Sequence, residues 1–410
     1  MNIEVNSENA WRVKTPGSGQ WPRSPRAGQP NKYFMVSCDT HLSPPRDLFA
    51  ERIEKKFVDR LAKITTDESG KQFLVAEGAR PAPLLRTELF GEDQHRQELG
   101  KGPKSEDEVD AQLRQRIDEQ AMDGVDAELL FPNGPALTAF WTPDPEFAQA
   151  QFRVYNDWAA EATKPYRDKL NVAACISTAD IDSAVAEIER VTALGYRVVT
   201  LPTKPIVGNS DVSHINYNLP VFDPLWAALR HAGLAITFHI STGRDPRTAR
   251  GAGGAVINYA VHGIPTVMEP IANLCSSGVL ERFPELRIAG IECGSGWLPW
   301  FLDTMDEGYR KHHHWARPKL KALPSDYFRA NWAVTFGEDR PGMALVEEYN
   351  LVGNMLWAND YPHHEGTWPH SAEAIERNMG HLRDDSRAKM LGLNAARMFN
   401  FDIPEQYRAA

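Results

Sequence analysis

Candidate metal ligands stand just after several short apolar runs of the chain. Asp39 and His41 form an Asp-Thr-His sequence after the first run. His239 ends an otherwise apolar run, and Asp360 closes another. A group of carboxylates and imidazoles in an apolar pocket is costly to bury without a cation. Two imidazole nitrogens and two carboxylate oxygens suit Zn²⁺, Mn²⁺ or Fe²⁺, so these residues predict one divalent metal ion per chain, with Zn²⁺ expected first.

Each of these residues also has an ordinary structural interpretation. A single histidine in a strand is more often a hydrogen-bonded core residue than a metal ligand. An Asp-x-His sequence occurs by chance, and Asp-Tyr-Pro is common in turns. The metal interpretation is favoured because several such positions fall at equivalent ends of predicted strands.

Three further residues are candidates for acid–base chemistry beside the metal. Glu292 ends another apolar run, and His363 and His364 follow Asp360 closely. Histidine changes its charge near neutral pH, so this pair suits a proton relay or a substrate contact. We therefore predict Asp360, Glu292 and His363 as catalytic residues and His364 as a substrate-binding residue. A solvated loop is the alternative for the two histidines.

Candidate substrate contacts lie close to the same positions. Arg46 follows the Asp-Thr-His sequence and offers a cation for a substrate carboxylate, although a surface arginine is the commoner case. Trp297 is one of several aromatic residues near strand ends, which is compatible with a planar or cyclic substrate. Cys293 stands beside Glu292, whose carboxylate raises the thiol pKa and makes a poor nucleophile. We predict Cys293 as a pocket-lining residue.

Eight nearly continuous apolar runs must position these side chains. Such runs are typical of strands buried on both faces, and amphipathic stretches that predict helices lie between them. This alternation predicts an α/β fold, a distorted (β/α)8 TIM barrel, in which catalytic residues follow strand ends. An open doubly wound sheet is the rival, but it would usually carry a glycine-rich phosphate loop, and no G-x-G-x-x-G is present. The runs span residues 33–39, 125–133, 170–177, 196–202, 234–240, 286–293, 331–339 and 354–360.

Two segments depart from this alternation. Residues 1–32 are rich in Gly, Pro, Ser, Arg and Asn, and we interpret them as an N-terminal arm. Residues 33–410 are expected to form the barrel. Residues 43–105 are polar and charged, and predict a long insertion after strand 1, either a lid over the active site or a solvated surface loop.

The composition of the 410-residue chain argues against several classes of protein. Hydrophobic residues make up 42% and charged residues 24%, as in ordinary globular proteins. The net charge of −10 argues against a nucleic-acid partner, which requires a basic face. Four cysteines without a C-x-x-C pair predict neither a disulfide framework nor a thiolate zinc site. The sequence shows no signal peptide or membrane span, so we expect a cytoplasmic protein without a membrane partner.

The chain resembles the amidohydrolase superfamily, in the branch called amidohydrolase 2, from about residue 33 to residue 400. The resemblance rests on SCDTH, YNDW, LPVFDPLWAAL, TFHISTG, SGVLERFPELRIAGIECGSGWLPWFLDTMDE and WANDYPHHEGTWP. It implies that Asp39 and His41 are the first pair of metal ligands and that His239 is the strand-5 ligand. It also implies that Asp360 binds metal and shuttles a proton. Barrels of this branch are commonly dimers, so a homodimer is expected.

Two departures from the family pattern bear on the chemistry. A carboxylated lysine is not expected at the end of strand 4, because Lys204 lies slightly past it, and a one-metal site is therefore favoured. Counting back from Pro299, the strand-6 histidine of the branch's decarboxylases falls on Cys293. That histidine supports decarboxylation, so its replacement argues against this reaction.

Two enzymatic functions and one non-enzymatic function follow. The leading prediction is a hydrolase that uses a metal-activated water on a small cyclic or aromatic substrate with an amide, imine or ester-like bond. The alternative is a metal-dependent non-oxidative decarboxylase of an aromatic or unsaturated carboxylic acid. The same ligands serve both reactions. A non-catalytic binding barrel is disfavoured because all four ligand positions are filled.

Overall fold

Eight parallel strands form the centre of the protein. The structure, a computed structural model, describes residues 33–78, 81–83, 102–205, 215–243, 251–363 and 365–407. Its strands, in chain order, are β1 (Val36–Leu42), β2 (Lys63–Thr66), β3 (Gln72–Val75), β4 (Ala82–Pro83), β5 (Ala127–Pro132), β6 (Leu170–Cys175), β7 (Val198–Leu201), β8 (Ala235–His239), β9 (Ile288–Ile291), β10 (Trp332–Phe336) and β11 (Met355–Trp357).

The large sheet has the strand order β1-β5-β6-β7-β8-β9-β10-β11, and every pairing in it is parallel. Its two edges meet where Thr40 of β1 forms a parallel bridge with Tyr361, just after β11. The His41 amide donates a 2.8 Å hydrogen bond to the Tyr361 carbonyl at this seam. The predicted (β/α)8 barrel is confirmed.

The barrel strands form because their residues can be buried on both faces. Every residue of the eight barrel strands is buried. An inner core contains Val36, Leu129, Ala173 and Ile291 and is covered by Phe399 from the C-terminal segment. A larger outer core lies between the strands and the surrounding helices. The continuous apolar runs in the sequence reflect this double burial.

Helices surround the sheet and connect successive strands. They are α1 (Leu48–Arg52), α2 (Val109–Met122), α3 (Pro135–Thr138), α4 (Pro145–Thr163), α5 (Ile181–Ala193), α6 (Asp223–Ala232), α7 (Gly254–Ile257), α8 (Ile264–Ser276), α9 (Val279–Arg282), α10 (Leu298–Lys311), α11 (Pro324–Asn331), α12 (Arg340–Leu345), α13 (Ser371–Met379), α14 (Asp384–Ala388) and α15 (Asn394–Phe399). Two π-helical segments, Asn258–Gly263 and Lys389–Leu393, precede α8 and α15.

Shorter 3-10 segments complete the connections. They are Lys55–Arg60, Glu106–Glu108, Ala139–Trp141, Lys164–Tyr166, Pro220–Phe222, Val352–Asn354 and Glu405–Tyr407. Within the part of the chain that the structure describes, no helix is both long enough and apolar enough to cross a bilayer.

The predicted insertion after strand 1 contains its own small sheet. Strands β2, β3 and β4 pair in antiparallel fashion. Arg60 forms an ion pair with Glu77 within this region and another with Asp144, the N-cap residue of α4. Residues 79–80 and 84–101 of the insertion, and the predicted arm 1–32, lie outside the described residues. The lid interpretation stays a prediction.

Candidate metal centre

A β-bulge in the first strand directs Asp39 and His41 toward the barrel mouth. The pairing of β1 with β5 shifts its register between Ser37 and Thr40. A bulge changes which side chains face a given side of the sheet. In β1 the bulge comes after Cys38, whose side chain belongs to the inner core. His41 Nδ1 lies 3.4 Å from the Pro132 carbonyl oxygen. The Nε2 atom thereby faces the centre of the mouth.

His239 lies opposite this pair at the end of β8. Its Nδ1 atom is 2.7 Å from the Ile240 carbonyl oxygen, which fixes the ring orientation. Its Nε2 atom lies 3.2 Å from Asp39 Oδ1 and 3.5 Å from Glu292 Oε2. One imidazole nitrogen therefore faces two carboxylates, as expected for a metal-ligating histidine whose other nitrogen is held by the backbone.

Glu292 and Asp360 reach the same point from strained backbone positions. Glu292 follows β9 with a φ of 57°, and Asp360 follows β11 with a φ of 53°. The left-handed region is uncommon for residues other than glycine, and such strain often marks functional sites. The Glu292 amide donates to Thr335 Oγ1 at 2.7 Å, and the Asp360 amide donates to the Asp39 carbonyl at 3.0 Å. These bonds hold both turns in place.

The side chains present three overlapping sets of ligand atoms, two of which contain His41. One atom from each member of a set lies within 4.8 Å of one atom from every other member. The first set is Asp39, His41, His239 and Glu292, and the second is His41, Asp360 and His363. His41 Nε2 is 3.3 Å from Asp360 Oδ1, yet these two buried atoms have no hydrogen-bond partner in the described part of the protein. Nitrogen and oxygen donors of this kind fit a divalent cation.

The electrostatics of the site also favour a cation. Burial raises the pKa of the Glu292 carboxyl well above its usual range, and nearby Asp360 raises it further. Burial raises the pKa of Asp360 as well, although His363 opposes this effect. Burial lowers the pKa of His239, but Asp39 raises it more strongly together with Glu292, to about 9. The metal-free site therefore retains protons that a divalent cation would displace.

His363 lies between Asp360 and solvent. Its Nδ1 atom is 3.3 Å from Asp360 Oδ1, and its side chain is 27% exposed. Its ring stacks on His41 with centroids 3.9 Å apart. Burial lowers the pKa of His363, but Asp360 raises it, to about 10. The predicted catalytic residues Asp360, Glu292 and His363 are thus brought together with the predicted metal ligands.

The predicted substrate-binding residues are placed differently. Arg46 is exposed on the loop after β1, and Cys293 is fully buried in the outer core. Trp297 is half-buried and donates a 2.7 Å hydrogen bond from Nε1 to the Cys293 carbonyl. These three residues belong to none of the sets of ligand atoms. His364 lies outside the described residues.

Sequence reasoning missed one acidic member of the site. Glu365 offers an oxygen within 4.8 Å of ligand atoms from Glu292 and Asp360. It is exposed, which distinguishes it from the buried members. Its position five residues after Asp360 was the available signal, but an exposed acidic residue in a loop has no distinctive pattern.

The family follows from comparison with known proteins. The amidohydrolase family model matches residues 38–401, which include every strand of the barrel except the first residues of β1. The chain belongs to the amidohydrolase family. The matched range contains all the clustered ligand residues of the metal centre.

Solved structures of amidohydrolases and decarboxylases share the fold. An amidohydrolase from Mycobacterium avium subsp. paratuberculosis K-10 has a TM-score of 0.67 at 20% identity, covering 90% of this chain and 99% of that one. A 5-carboxyvanillate decarboxylase from Sphingomonas paucimobilis has a TM-score of 0.62 at 22% identity, covering 90% and 100%. No curated protein sequence gives a significant match.

A further similar structure holds a metal. A dihydroxybenzoic acid decarboxylase from Polaromonas sp. JS666 contains manganese and the inhibitor 2-nitroresorcinol. Its TM-score is 0.58 at 18% identity, covering 92% of this chain and 99% of that one. This similarity establishes the shared fold of the two chains.

Proposed function

We propose that this amidohydrolase catalyses metal-dependent, non-oxidative decarboxylation of an aromatic carboxylic acid. The observation that carries the proposal is a buried acid, Asp360, held among metal-ligating side chains and adjacent to the half-buried His363. Two of the similar structures are decarboxylases of hydroxylated aromatic acids, which supports this reaction over hydrolysis.

Asp39, His41, His239 and Asp360 would hold one divalent cation, with Glu292 beside them. Such a cation would supply positive charge for the substrate carboxylate and a neighbouring hydroxyl. The manganese in the Polaromonas enzyme makes Mn²⁺ a candidate equal to Zn²⁺ for this chain.

Asp360 would act as the general acid. It would take a proton from His363, whose Nδ1 is 3.3 Å away, and transfer this proton to the ring carbon that bears the carboxylate. The bond between that carbon and the carboxylate would then break. Its electron pair would restore the aromatic ring, and CO₂ would leave. The arene would gain one proton, and Asp360 would be left ionised.

His363 would return the proton to Asp360. Its Nδ1 is 3.3 Å from Asp360 Oδ1, and its partly exposed ring can exchange protons with solvent. The ring of Phe131, with its centroid 4.9 Å from that of His239, adds an aromatic wall to the site. An aromatic substrate would pack favourably against such a ring.

Hydrolysis is the second candidate function. The resemblance described from the sequence implies that Cys293 replaces the histidine of the branch's decarboxylases, and Glu292 supplies the side chain after β9 at the metal centre instead. A carboxylate at this point suits the orientation of an attacking water. A substrate screen must therefore contain amides and esters beside aromatic acids.

The decisive experiment combines metal content with CO₂ release. Elemental mass spectrometry of the wild type should find about one divalent metal per chain, because the sets of ligand atoms overlap at one place. The His239→Ala variant should contain little, whereas His231→Ala, which removes an exposed histidine of α6, should keep the metal. Metal-loaded wild type should release CO₂ from a hydroxybenzoate in a panel. Hydrolysis of a panel amide or ester without CO₂ release would overturn the decarboxylase proposal.

A further inference from the structure

Arg116 lies beneath the metal centre, on α2. Its side chain is 6% exposed and pairs with the 2% exposed Glu128 of β5. The Arg116 Nη2 atom donates to Glu128 Oε2 at 2.7 Å, and Nε donates to Glu128 Oε1 at 3.1 Å. This bidentate pairing fixes the plane of the guanidinium group.

The remaining guanidinium nitrogen reaches the metal-ligand segment of β1. Arg116 Nη1 donates a 2.6 Å hydrogen bond to the backbone oxygen of His41. This contact joins residues 75 positions apart in the sequence. It fixes the backbone of a predicted ligand without touching the ligand's ring.

The same guanidinium contacts the other side of the barrel seam. Its carbon atom lies 4.6 Å from the ring centroid of Tyr361, the residue directly after Asp360. Tyr361 is also held through its hydroxyl, which donates to Glu119 Oε2 at 2.8 Å. The Tyr361 carbonyl in turn accepts from the His41 amide. Arg116 is therefore in contact with both ligand-bearing segments at the point where the barrel closes.

We propose that Arg116 is a positioning residue for the metal centre, which sets the separation of the β1 ligands from Asp360. The inference rests on the proposed metal-dependent function. A planar, always charged group with several fixed donors suits this role, because one lysine ammonium cannot reproduce the carboxylate fork, the carbonyl contact and the ring contact together. Loss of outer partners of metal ligands typically weakens metal binding by about 10–100-fold.

A second buried arginine provides a matched control. Arg387 of α14 is fully buried, pairs with Glu376 and lies 5.4 Å from the ring centroid of Tyr33. It repeats the arginine–carboxylate–tyrosine arrangement, but Tyr33 precedes β1 at the amino end of the barrel. Arg387→Lys should therefore disturb packing to a similar degree without moving a metal ligand.

The test compares metal binding by Arg116→Lys, Arg387→Lys and the wild type. Each full-length protein is stripped with a chelator, checked for a cooperative thermal transition and titrated with Mn²⁺ while free Mn²⁺ is followed by electron paramagnetic resonance. We expect Arg116→Lys to bind about 10–100-fold more weakly and Arg387→Lys to match the wild type. The visible spectrum of the Co²⁺-loaded proteins should change for Arg116→Lys alone.

A paired variant covers the possibility that Arg116→Lys does not fold. Arg116→Gln combined with Glu128→Gln removes both charges together, so that neither is left buried and unpaired. It should show the same loss of Mn²⁺ affinity. Equal affinity and an unchanged Co²⁺ spectrum in the Arg116 variants, beside a wild type that binds Mn²⁺, would overturn this inference alone. A wild type that binds no divalent metal would overturn the proposed function as well.

Discussion

The residues that hold protons at this site differ in their exposure to solvent. Asp360 Oδ1 is buried and lies 3.3 Å from both His41 Nε2 and His363 Nδ1. His41 is buried beneath the stacked His363 ring, and its pKa is lowered by burial and by His363. His363 is more exposed and carries the raised pKa. This arrangement gives Asp360 one histidine as a co-ligand and another as a proton source.

His363→Gln tests the proton relay. Glutamine keeps a polar side chain but cannot transfer a proton, so kcat should fall by about 10²-fold while the bound metal is retained. The measurement is kcat on the aromatic acid found in the screen, together with metal content. His381→Gln replaces an exposed histidine near the Met343 carbonyl; it is the control and should leave kcat unchanged. An unchanged kcat in His363→Gln would exclude the relay.

Metal affinity should rise with pH. The raised pKa of His239, about 9 in the metal-free protein, keeps its imidazole protonated at neutral pH, and a protonated imidazole cannot bind a metal. Each metal ion bound below this pKa must displace a proton. We expect Mn²⁺ affinity to increase by about tenfold per pH unit between about pH 6 and pH 8. Titrations at several pH values measure this, and a flat profile would contradict a proton-occupied ligand.

Asp339, which lies between β10 and α12, holds the turn that carries Glu292. Asp339 follows β10 and accepts hydrogen bonds from the Ser295 and Gly296 amides in the loop after β9. It also accepts from the Gly342 amide and so caps α12. The position of Glu292 thus depends on a carboxylate supplied by the next barrel strand.

Asp339→Ala should affect both stability and catalysis. Removing an acceptor of several amides should lower the free energy of unfolding by about 1–3 kcal/mol and lower kcat, because the Glu292 turn loses its support. Asp326→Ala removes another carboxylate acceptor at a helix start, that of the Leu323 amide before α11. It should lower stability without changing kcat. Chemical unfolding and steady-state kinetics of both variants make the comparison, and equal kcat values would contradict the supporting role.

A buried polar network closes the barrel. Asp123 ends α2 and accepts hydrogen bonds from Asn359 Nδ2 and from the Ser371 amide. Asn359 Oδ1 accepts a 2.8 Å bond from Ser37 Oγ of β1. The network therefore joins the first and last barrel strands to helices α2 and α13. Burial raises the pKa of Asp123 to about 7 despite these donors.

This network should make global stability depend on pH. The folded protein binds a proton at Asp123 more tightly than the unfolded chain does, so this contribution is full below about pH 4 and is lost as the pH rises through about 7. The change is on the order of 4 kcal/mol. Asp123→Asn cannot titrate, so the difference in unfolding free energy between wild type and variant should shift with pH in this direction. A constant difference between pH 4 and pH 8 would refute the raised pKa.

Much of the fold and the composition of the site could be predicted from the sequence. Continuous apolar runs imply strands buried on both faces, and eight such runs with intervening helices imply a barrel. Parallel barrel strands all present their carboxyl ends at one mouth, so ligands that lie near the carboxyl ends of β1 and β8 or just after β9 and β11 must meet there. The grouping of Asp39, His41, His239, Glu292 and Asp360 follows from this topology.

The tertiary structure determines how these side chains are oriented and held in place. The register shift in β1, the left-handed backbone at Glu292 and Asp360, and the contact of Arg116 with the His41 carbonyl have no local sequence signal. Each depends on a partner strand or helix that is distant along the chain. Local residue preferences favour strands and turns but carry no information on such partners. Only the closed barrel therefore brings together the elements that stabilise these otherwise unfavourable conformations.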